Sequence, residues 1–204
     1  MGTWNTNCVT LRIFPNYFEN FLYLCSNYLK IDIIHLKSAK MVFTATYNSP
    51  VGTIVIESNG ETLTGLRFGE GKTQAACSLP IFDEVIRWLD DYFAGKQTEN
   101  AVMLKKDALN QKNAARIAVQ PKGTLFQQRV WQVLLTIPYG KTVSYGELAR
   151  MVGCKSAQAV GQAVGANPIA LLIPCHRVIA ANGQLGGYAY GQELKKRLLH
   201  IEQP

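Results

Sequence analysis

Cys175 and His176 stand side by side in the run Ile173-Pro174-Cys175-His176-Arg177-Val178, behind the apolar stretch Ala170-Leu171-Leu172-Ile173. A thiol attacks as its thiolate. A neighbouring imidazole can take the proton, and a mostly buried setting makes the reaction selective. Of the five cysteines, only Cys175 has a local setting suited to nucleophilic chemistry. Cys8, Cys25, Cys77 and Cys154 show no Cys-x-x-Cys spacing and read as ordinary thiols rather than as a metal site. Cys8, Cys25 and His35 could meet in space, but nothing in their spacing favours it. Neither a metal motif nor a Gly-rich phosphate loop appears, and no cofactor is expected.

The elements that must position this pair divide the chain in three. Residues 1–40 are rich in Asn and aromatics. Phe14, Phe18, Phe21 and Leu22 have helical spacing, which suits either an extra packed helix or an extension ahead of the main fold. Residues 41–120 open on strand-like text. Val42–Tyr47 and Thr53–Glu57 flank a Ser-Pro-Val-Gly turn, and Asn59-Gly60 signals a hairpin into Leu63–Phe68. A small antiparallel sheet is expected. Ile81, Phe82, Val85, Ile86, Leu89, Tyr92 and Phe93 form one face of a helix that Gly95 stops. Residues 96–122 are polar without a sustained period and read as a linker with at most one short element.

Residues 121–204 read as helical. Thr124 can cap a helix with Phe126, Val130, Trp131, Leu134 and Leu135 on its inner face, ended by Pro138 and Gly140. Ser144 can cap a second helix over 145–151. After the Val152-Gly153-Cys154 turn, Lys155 or Ser156 starts a third that runs to about Gly165. The pair makes a helix-turn-helix pattern. Asn182-Gly183 reads as a turn or wing, and a last basic helix spans 191–200 with Leu194, Leu198 and Ile201 inward. The third helix is rich in small residues, including Ala157, Ala159, Gly161, Ala163 and Gly165. Such a surface suits tight packing on a neighbouring helix or close approach to a narrow nucleic-acid groove.

Charge follows the same division. The chain carries a formal +7, and residues 121–204 hold nine Lys/Arg against three Asp/Glu. That asymmetry suggests a polyanionic partner, although charge alone slightly favours a bland basic surface. No apolar run approaches the ~20 residues of a membrane helix. The N-terminus lacks the order of a secretory signal, so the cytoplasm, with reduced thiols, is the expected compartment.

Over 41–204 the chain resembles the O6-alkylguanine-DNA alkyltransferases. The likeness is densest at Phe126-Gln-Gln-Arg-Val-Trp131, Ile137-Pro-Tyr-Gly140, Val143-Ser-Tyr-Gly-Glu-Leu-Ala149, Ala159-Val-Gly161, Asn167-Pro168 and Ile173-Pro-Cys-His-Arg-Val178. It continues through Gly183, Gly187-Tyr188 and Leu198-Leu199 to Glu202; residues 1–40 lie outside it. The resemblance implies an α+β fold, with a small ribonuclease H-like sheet and helix followed by a winged helix-turn-helix domain.

It also implies a reaction. The alkyl group on O6 of a flipped-out guanine (and on O4-methylthymine) in double-stranded DNA moves irreversibly to Cys175, once per molecule, by a monomer without a cofactor. His176 then accepts the thiol proton through a water, and Glu202 orients the imidazole as carboxylates do in other triads. Tyr145 is the phenol that protonates guanine N3, and Asn167 is the hinge between the DNA-binding helix and the cysteine loop. DNA contact is implied for Ser144, Tyr145, Lys155, Ser156, Ala157, Gln158, Ala159, Gly161 and Arg177, with the third helix in the minor groove. For Arg177 the residues themselves suggest instead a pairing with a carboxylate or carbonyls. The pocket is implied for Pro168, Val178, Tyr188, Ala189 and Tyr190.

Two positions depart from the family's commonest pattern. Gln158 stands where many members carry an arginine that fills the gap left by the base. Tyr190 stands where many carry a small residue, which would narrow the pocket. A lesion sensor of the same fold would lack the cysteine. A cysteine hydrolase would need an oxyanion hole that nothing in the sequence marks, and a transcription regulator would leave a sequence-specific footprint.

Overall fold

Strand β1 (Phe43–Ser49) turns at Pro50-Val51 into β2 (Gly52–Ser58), and the two pair antiparallel from Phe43↔Ser58 to Ser49↔Gly52. The computed structural model describes residues 42–71, 79–96, 102–104 and 117–203. Within β2, Ile54, Val55 and Ile56 are all buried, as a strand covered on both faces requires. At the next turn the Asn59 side chain accepts from the backbone N–H groups of Glu61 and Thr62, an Asx turn that leads into β3 (Leu63–Phe68). Helix α1 (Pro80–Phe93) starts with proline at its first turn and buries Ile81, Phe82, Val85, Leu89 and Tyr92. That is the face its periodicity predicts.

Beyond α1, two short strands appear, β4 (Val102–Leu104) and β5 (Ile117–Val119). They extend the sheet to the order β1-β2-β3-β5-β4, and both new pairings are parallel. The three expected strands pair antiparallel, and the two added ones make the sheet mixed. The expected linker with at most one element holds two. Strands of three residues are too short to show a period, and parallel partners are chosen by distant neighbours.

Helix α2 (Leu125–Leu134) begins with a capping box of Thr124 and Gln127. Helix α3 (Tyr145–Val152) begins with a second box, Ser144 with Glu147, and ends on Gly153 in the left-handed conformation. Helix α4 (Ala157–Gly165) is capped by Ser156. The indole N–H of Trp131 on α2 donates to the Ala163 carbonyl on α4 at 2.8 Å, which locks the two helices together. After Gly191, helix α5 (Gln192–Ile201) brings the chain back to the core through Leu198. The Asn182-Gly183 wing is a turn, with Gly183 N–H bonded to Ala180 O. Ala180 N–H closes the turn on Gln184 O at 2.8 Å, and β7 (Val178–Ile179) pairs with β6 (Val143–Ser144) in parallel.

One segment ties the sheet to the helices. Residues 169–173 are at most 3% exposed. Leu66 in β3 donates to Pro168 O at 2.9 Å and accepts from Ala170 N–H at 2.8 Å. The sheet thus grips the approach to Cys175 by a parallel bridge at Leu66↔Ile169. Among the described residues, no helix is long and apolar enough to cross a membrane. Residues 1–40, with the helical spacing and the cysteines noted there, lie outside the described residues, as does Cys77.

Candidate active site around Cys175

The approach to Cys175 is held by Asn167. Its side-chain oxygen accepts from Ile169 N–H at 3.0 Å, and its amide donates to Ile173 O at 2.8 Å and Ile169 O at 3.3 Å. Within the loop so formed, Leu171 takes φ +65°, a left-handed conformation that a branched residue adopts only under local constraint. The chain then enters a single 3-10 turn, Cys175–Arg177. Cys175 is 5% exposed.

Burial raises the Cys175 pKa, and this is the largest influence. The Asn167 side chain, the N–H groups of Cys175 and His176, and the charge of Lys195 pull the other way. The net direction is upward, so the resting group is the thiol and its reaction needs a base.

His176 is fully buried. Its Nε2 lies 2.7 Å from Glu202 Oε1, while Nδ1 has no hydrogen-bond partner. Burial pushes its pKa down, against the opposing pull of Glu202. A neutral imidazole beside an ionised carboxylate carries its proton on Nε2. The lone pair is then on Nδ1, the nitrogen left available.

Glu202 caps the C-terminal end of α5 and is itself 1% exposed. Its Oε1 also accepts from Tyr92 Oη at 3.0 Å and Arg177 Nη2 at 3.0 Å. Its Oε2 accepts from Arg177 Nε at 2.8 Å and Gly140 N at 3.1 Å. Burial alone would raise its pKa, but hydrogen bonds and charge from His176 and Arg177 bring it down to about 2. Arg177 spends its remaining Nη1 on Ile137 O at 2.7 Å and is 7% exposed. It faces inward, so the expected DNA contact from Arg177 does not hold. A guanidinium this fully engaged with a carboxylate and a carbonyl is structural.

Tyr145, the first residue of α3, donates to Gly187 O at 3.3 Å. Its ring is flanked by Gly161 of α4 and Gly186 of the wing. A Cβ there would stand 3.6 and 3.2 Å from ring carbons. Burial, then the charge of Cys175, raises its pKa, so the phenol stays protonated. Asn167, Cys175, His176, Glu202 and Tyr145 are thus brought to one place.

Around them the pocket expectations divide. Tyr188 buries a hydroxyl that forms no hydrogen bond of ordinary geometry, and burial and then the charge of Cys175 keep it protonated. Tyr190 packs edge-on against Tyr188 and against Phe68 of β3, with ring centroids 5.5 and 5.2 Å away. Ala189 is exposed. Pro168 and Val178 serve the frame through their carbonyls, which bond Leu66 N–H and Lys195 respectively. Lys155, Ser156, Ala157 and Gln158 are exposed and Ala159 and Gly161 half-buried. Ser144, half-buried, spends its hydroxyl on the cap.

Three residues of the site escaped the sequence reading. Tyr92 sits on the apolar stripe of α1 and looked like ordinary core. Gly140 looked like a helix stop. Lys195 looked like part of a basic surface, yet it lies between Leu194 and Leu198 on the inner side of α5, and that position was the available signal.

A helix-turn-helix beside a buried thiol, imidazole and carboxylate is a fold with a nucleophilic centre, and comparison with known proteins specifies the family. Residues 42–105 match the ribonuclease-like domain of 6-O-methylguanine DNA methyltransferase, and residues 125–204 match its DNA binding domain. The chain is 43% identical over 169 residues to the methylated-DNA–protein-cysteine methyltransferase of Mycobacterium leprae, covering 80% of this chain and 93% of that one. A Methanosarcina acetivorans protein of the same name is 39% identical over 168 residues, covering 79% and 98%. The crystal structure of the Mycobacterium tuberculosis O6-methylguanine methyltransferase superposes with a TM-score of 0.66 at 40% identity, over 80% of this chain and 93% of that one. The M. tuberculosis OGT in complex with DNA gives 0.64 at 41%, over 78% and 91%. The chain belongs to the 6-O-methylguanine DNA methyltransferase family.

Proposed function

We propose that this protein repairs DNA by direct reversal, moving the alkyl group from O6 of guanine to the sulfur of Cys175. The observation that carries this reading is the buried line Cys175–His176–Glu202, in a chain whose relatives are named for that transfer. His176 Nδ1 takes the thiol proton through a water while Glu202 steadies the imidazolium. The thiolate attacks the alkyl carbon. A C–S bond forms, the C–O6 bond breaks, and its electron pair leaves with the base. Tyr145 gives its proton to guanine N3, so the base departs neutral. The thioether product has no leaving group that water can displace under these conditions, so each chain reacts once. O4-methylthymine presents a similar alkyl–oxygen bond and is the expected second substrate.

Duplex DNA hides O6 from a buried thiol, so the base must leave the stack at a cost of a few kcal/mol. The exposed N-terminal turn of α4, from Lys155 to Gln158, together with the small residues Ala159 and Gly161, suits a close approach to the minor groove. Tyr188 and Tyr190 wall the pocket for the flipped base. All these residues belong to one chain, which supports action as a monomer. The reaction needs a reduced thiol, as the cytoplasm provides.

The test is intact-mass measurement after incubation with duplex DNA carrying O6-methylguanine. One methyl on the Cys175 peptide is expected, with no further gain at excess DNA. Cys175→Ala should bind the DNA and remain unlabelled. Label on another cysteine, or continued turnover, would refute the reading.

A further inference from the structure

Among the described residues, two cations stand at the site, and both are fully engaged. Lys195 is buried and gives its three N–H groups to the carbonyls of Val178, Leu185 and Gly187. Arg177 is bonded to Glu202 and to Ile137 O. A methyl adduct asks nothing more of them. An adduct that ends in a carboxylate does, because it brings a negative charge towards an anionic nucleophile.

A third cation stands at the edge of the site. Arg67 lies on β3 between two residues that touch it. Leu66 is bonded in both directions to the approach to Cys175, through Pro168 O and Ala170 N–H. Phe68 sets its ring edge-on to Tyr190 at 5.2 Å. Arg67 itself uses only Nε, which donates to Glu57 Oε1 at 3.3 Å. Nη1 and Nη2 have no hydrogen-bond acceptor among the described residues, and the side chain is 45% exposed. Gly65 makes this pairing possible. A Cβ there would stand 2.7 Å from Glu57 Oε2, so the carboxylate lies across β3 only over a glycine. Glu57 thus holds the guanidinium through Nε and leaves the Nη1–Nη2 edge open. That edge matches a carboxylate in a two-bond fork. The Tyr190 phenol senses both charges: burial and then Cys175 raise its pKa, while Arg67 lowers it and Glu57 raises it.

We propose that Arg67 is a specificity-determining residue that admits O6-adducts ending in a carboxylate, its open Nη1–Nη2 edge meeting the anion while the adduct's first carbon meets Cys175. This deepens the alkyl-transfer reading above and rests on it. The bonds are those of methyl transfer. A C–S bond forms, the C–O6 bond breaks, and its electron pair leaves with the base, which takes its proton from Tyr145. The product is an S-carboxyalkyl cysteine that keeps its negative charge. Glu57 competes with the adduct for the same cation and repels it, so the two side chains act in opposite senses.

The experiment uses duplexes carrying O6-carboxymethyl- or O6-carboxypropylguanine, each in competition with the amide of the same shape. The mass gained on the Cys175 peptide gives a carboxylate-to-amide ratio within one protein. Arg67→Gln is expected to lower that ratio roughly two- to fivefold, the strength of a solvent-exposed ion pair. Glu57→Gln, whose amide oxygen can still accept from Nε, should raise it. Both shifts should shrink as salt is added. A ratio equal in wild type and Arg67→Gln for both adduct lengths overturns the proposal. So does a fall in Glu57→Gln, which would mark the pair as structural. A loss in Arg67→Gln shared by methyl, amide and carboxylate adducts would put Arg67 on the DNA backbone and also overturn it. A wild type that never gains a methyl group refutes the alkyl-transfer reading itself, a separate result.

Discussion

Tyr92 and His176 meet on one oxygen. The phenol donates to Glu202 Oε1 at 3.0 Å and the imidazole Nε2 lies 2.7 Å from the same atom. Tyr92 belongs to α1, which packs with the sheet, whereas His176 and Glu202 belong to the C-terminal helical part. The first part of the fold therefore supplies a group that helps hold the carboxylate behind the imidazole.

Tyr92→Phe removes that donor and little else. Burial and then the charge of Glu202 raise the Tyr92 pKa well above its ordinary value, so it donates throughout the working range. A hydrogen bond to a buried carboxylate is worth roughly 1.5–3 kcal/mol. The variant should lose about that much in urea unfolding, and its methyl transfer should slow at unchanged DNA affinity. Wild-type stability with wild-type transfer would show that Arg177, His176 and Gly140 hold Glu202 unaided.

Acid should weaken the fold in two steps. His176 has a folded pKa below its ordinary 6.5, so charging it in the interior costs stability as pH falls through that value. Glu202 falls from 4.5 in the open chain to about 2 in the fold. Its contribution is present above 4.5 and is lost as pH falls towards 2, on the order of 3 kcal/mol in all. Melting temperatures from pH 7 to 2 should decline accordingly. Glu202→Gln should start lower and flatten the limb below 4.5; a parallel decline would remove Glu202 as its source.

Much of this was legible in the residues. Thr124 and Ser144 announced their helices because caps are local chemistry, and Cys175-His176 announced the site because the two residues are adjacent. Lys195, Tyr92 and Gly140 were not legible because their roles depend on contacts far along the chain. Tyr92 reaches across 110 positions to Glu202. Strands β4 and β5 stayed hidden for the same reason, since their pairing is non-local. Arg177 carried two expectations, and only its partners distinguished the structural one from the DNA contact.

Gly140 is a place where a methyl group should do harm. It takes φ +69°, and a Cβ there would stand 2.7 Å from the backbone oxygen of Glu202. Its N–H also holds Glu202 Oε2. Gly140→Ala combines left-handed strain with displacement of the helix end, at a cost of about 2 kcal/mol or more. The folded fraction should transfer methyl slowly because Glu202 has shifted. Wild-type melting and transfer together would show that the end of α5 yields without cost.

Asn167→Ala tests the loop before the nucleophile. It removes the bonds to Ile169 and Ile173 and also the side-chain contact that favours the Cys175 thiolate. The buried Ile169 N–H would lose its partner, at about 1–3 kcal/mol, whereas Ile173 O keeps the Cys175 N–H and Ile169 O keeps the Ile173 N–H. The variant should be less stable, and a small alkylating reagent should reach half-maximal reaction with Cys175 at a higher pH than in wild type. An unchanged profile would confine Asn167 to holding the loop.

Tyr190 should control adduct size, and Phe68 should control Tyr190. The Tyr190 ring rests edge-on against Phe68 of β3 and against Tyr188, so the sheet keeps it from swinging away. Burial and then the charge of Cys175 raise its pKa, so the phenol stays protonated. Tyr190→Gly should therefore accelerate transfer from benzyl-type adducts more than from methyl. Phe68→Ala, which frees the ring without deleting it, should produce a smaller change of the same kind. Competition between O6-benzyl- and O6-methylguanine DNA, read by the mass gained on Cys175, gives the ratio for each protein. An equal effect of Tyr190→Gly on both adducts would remove the steric explanation. A selective Tyr190→Gly with an inert Phe68→Ala would leave the size limit with Tyr190 but remove the sheet from its control.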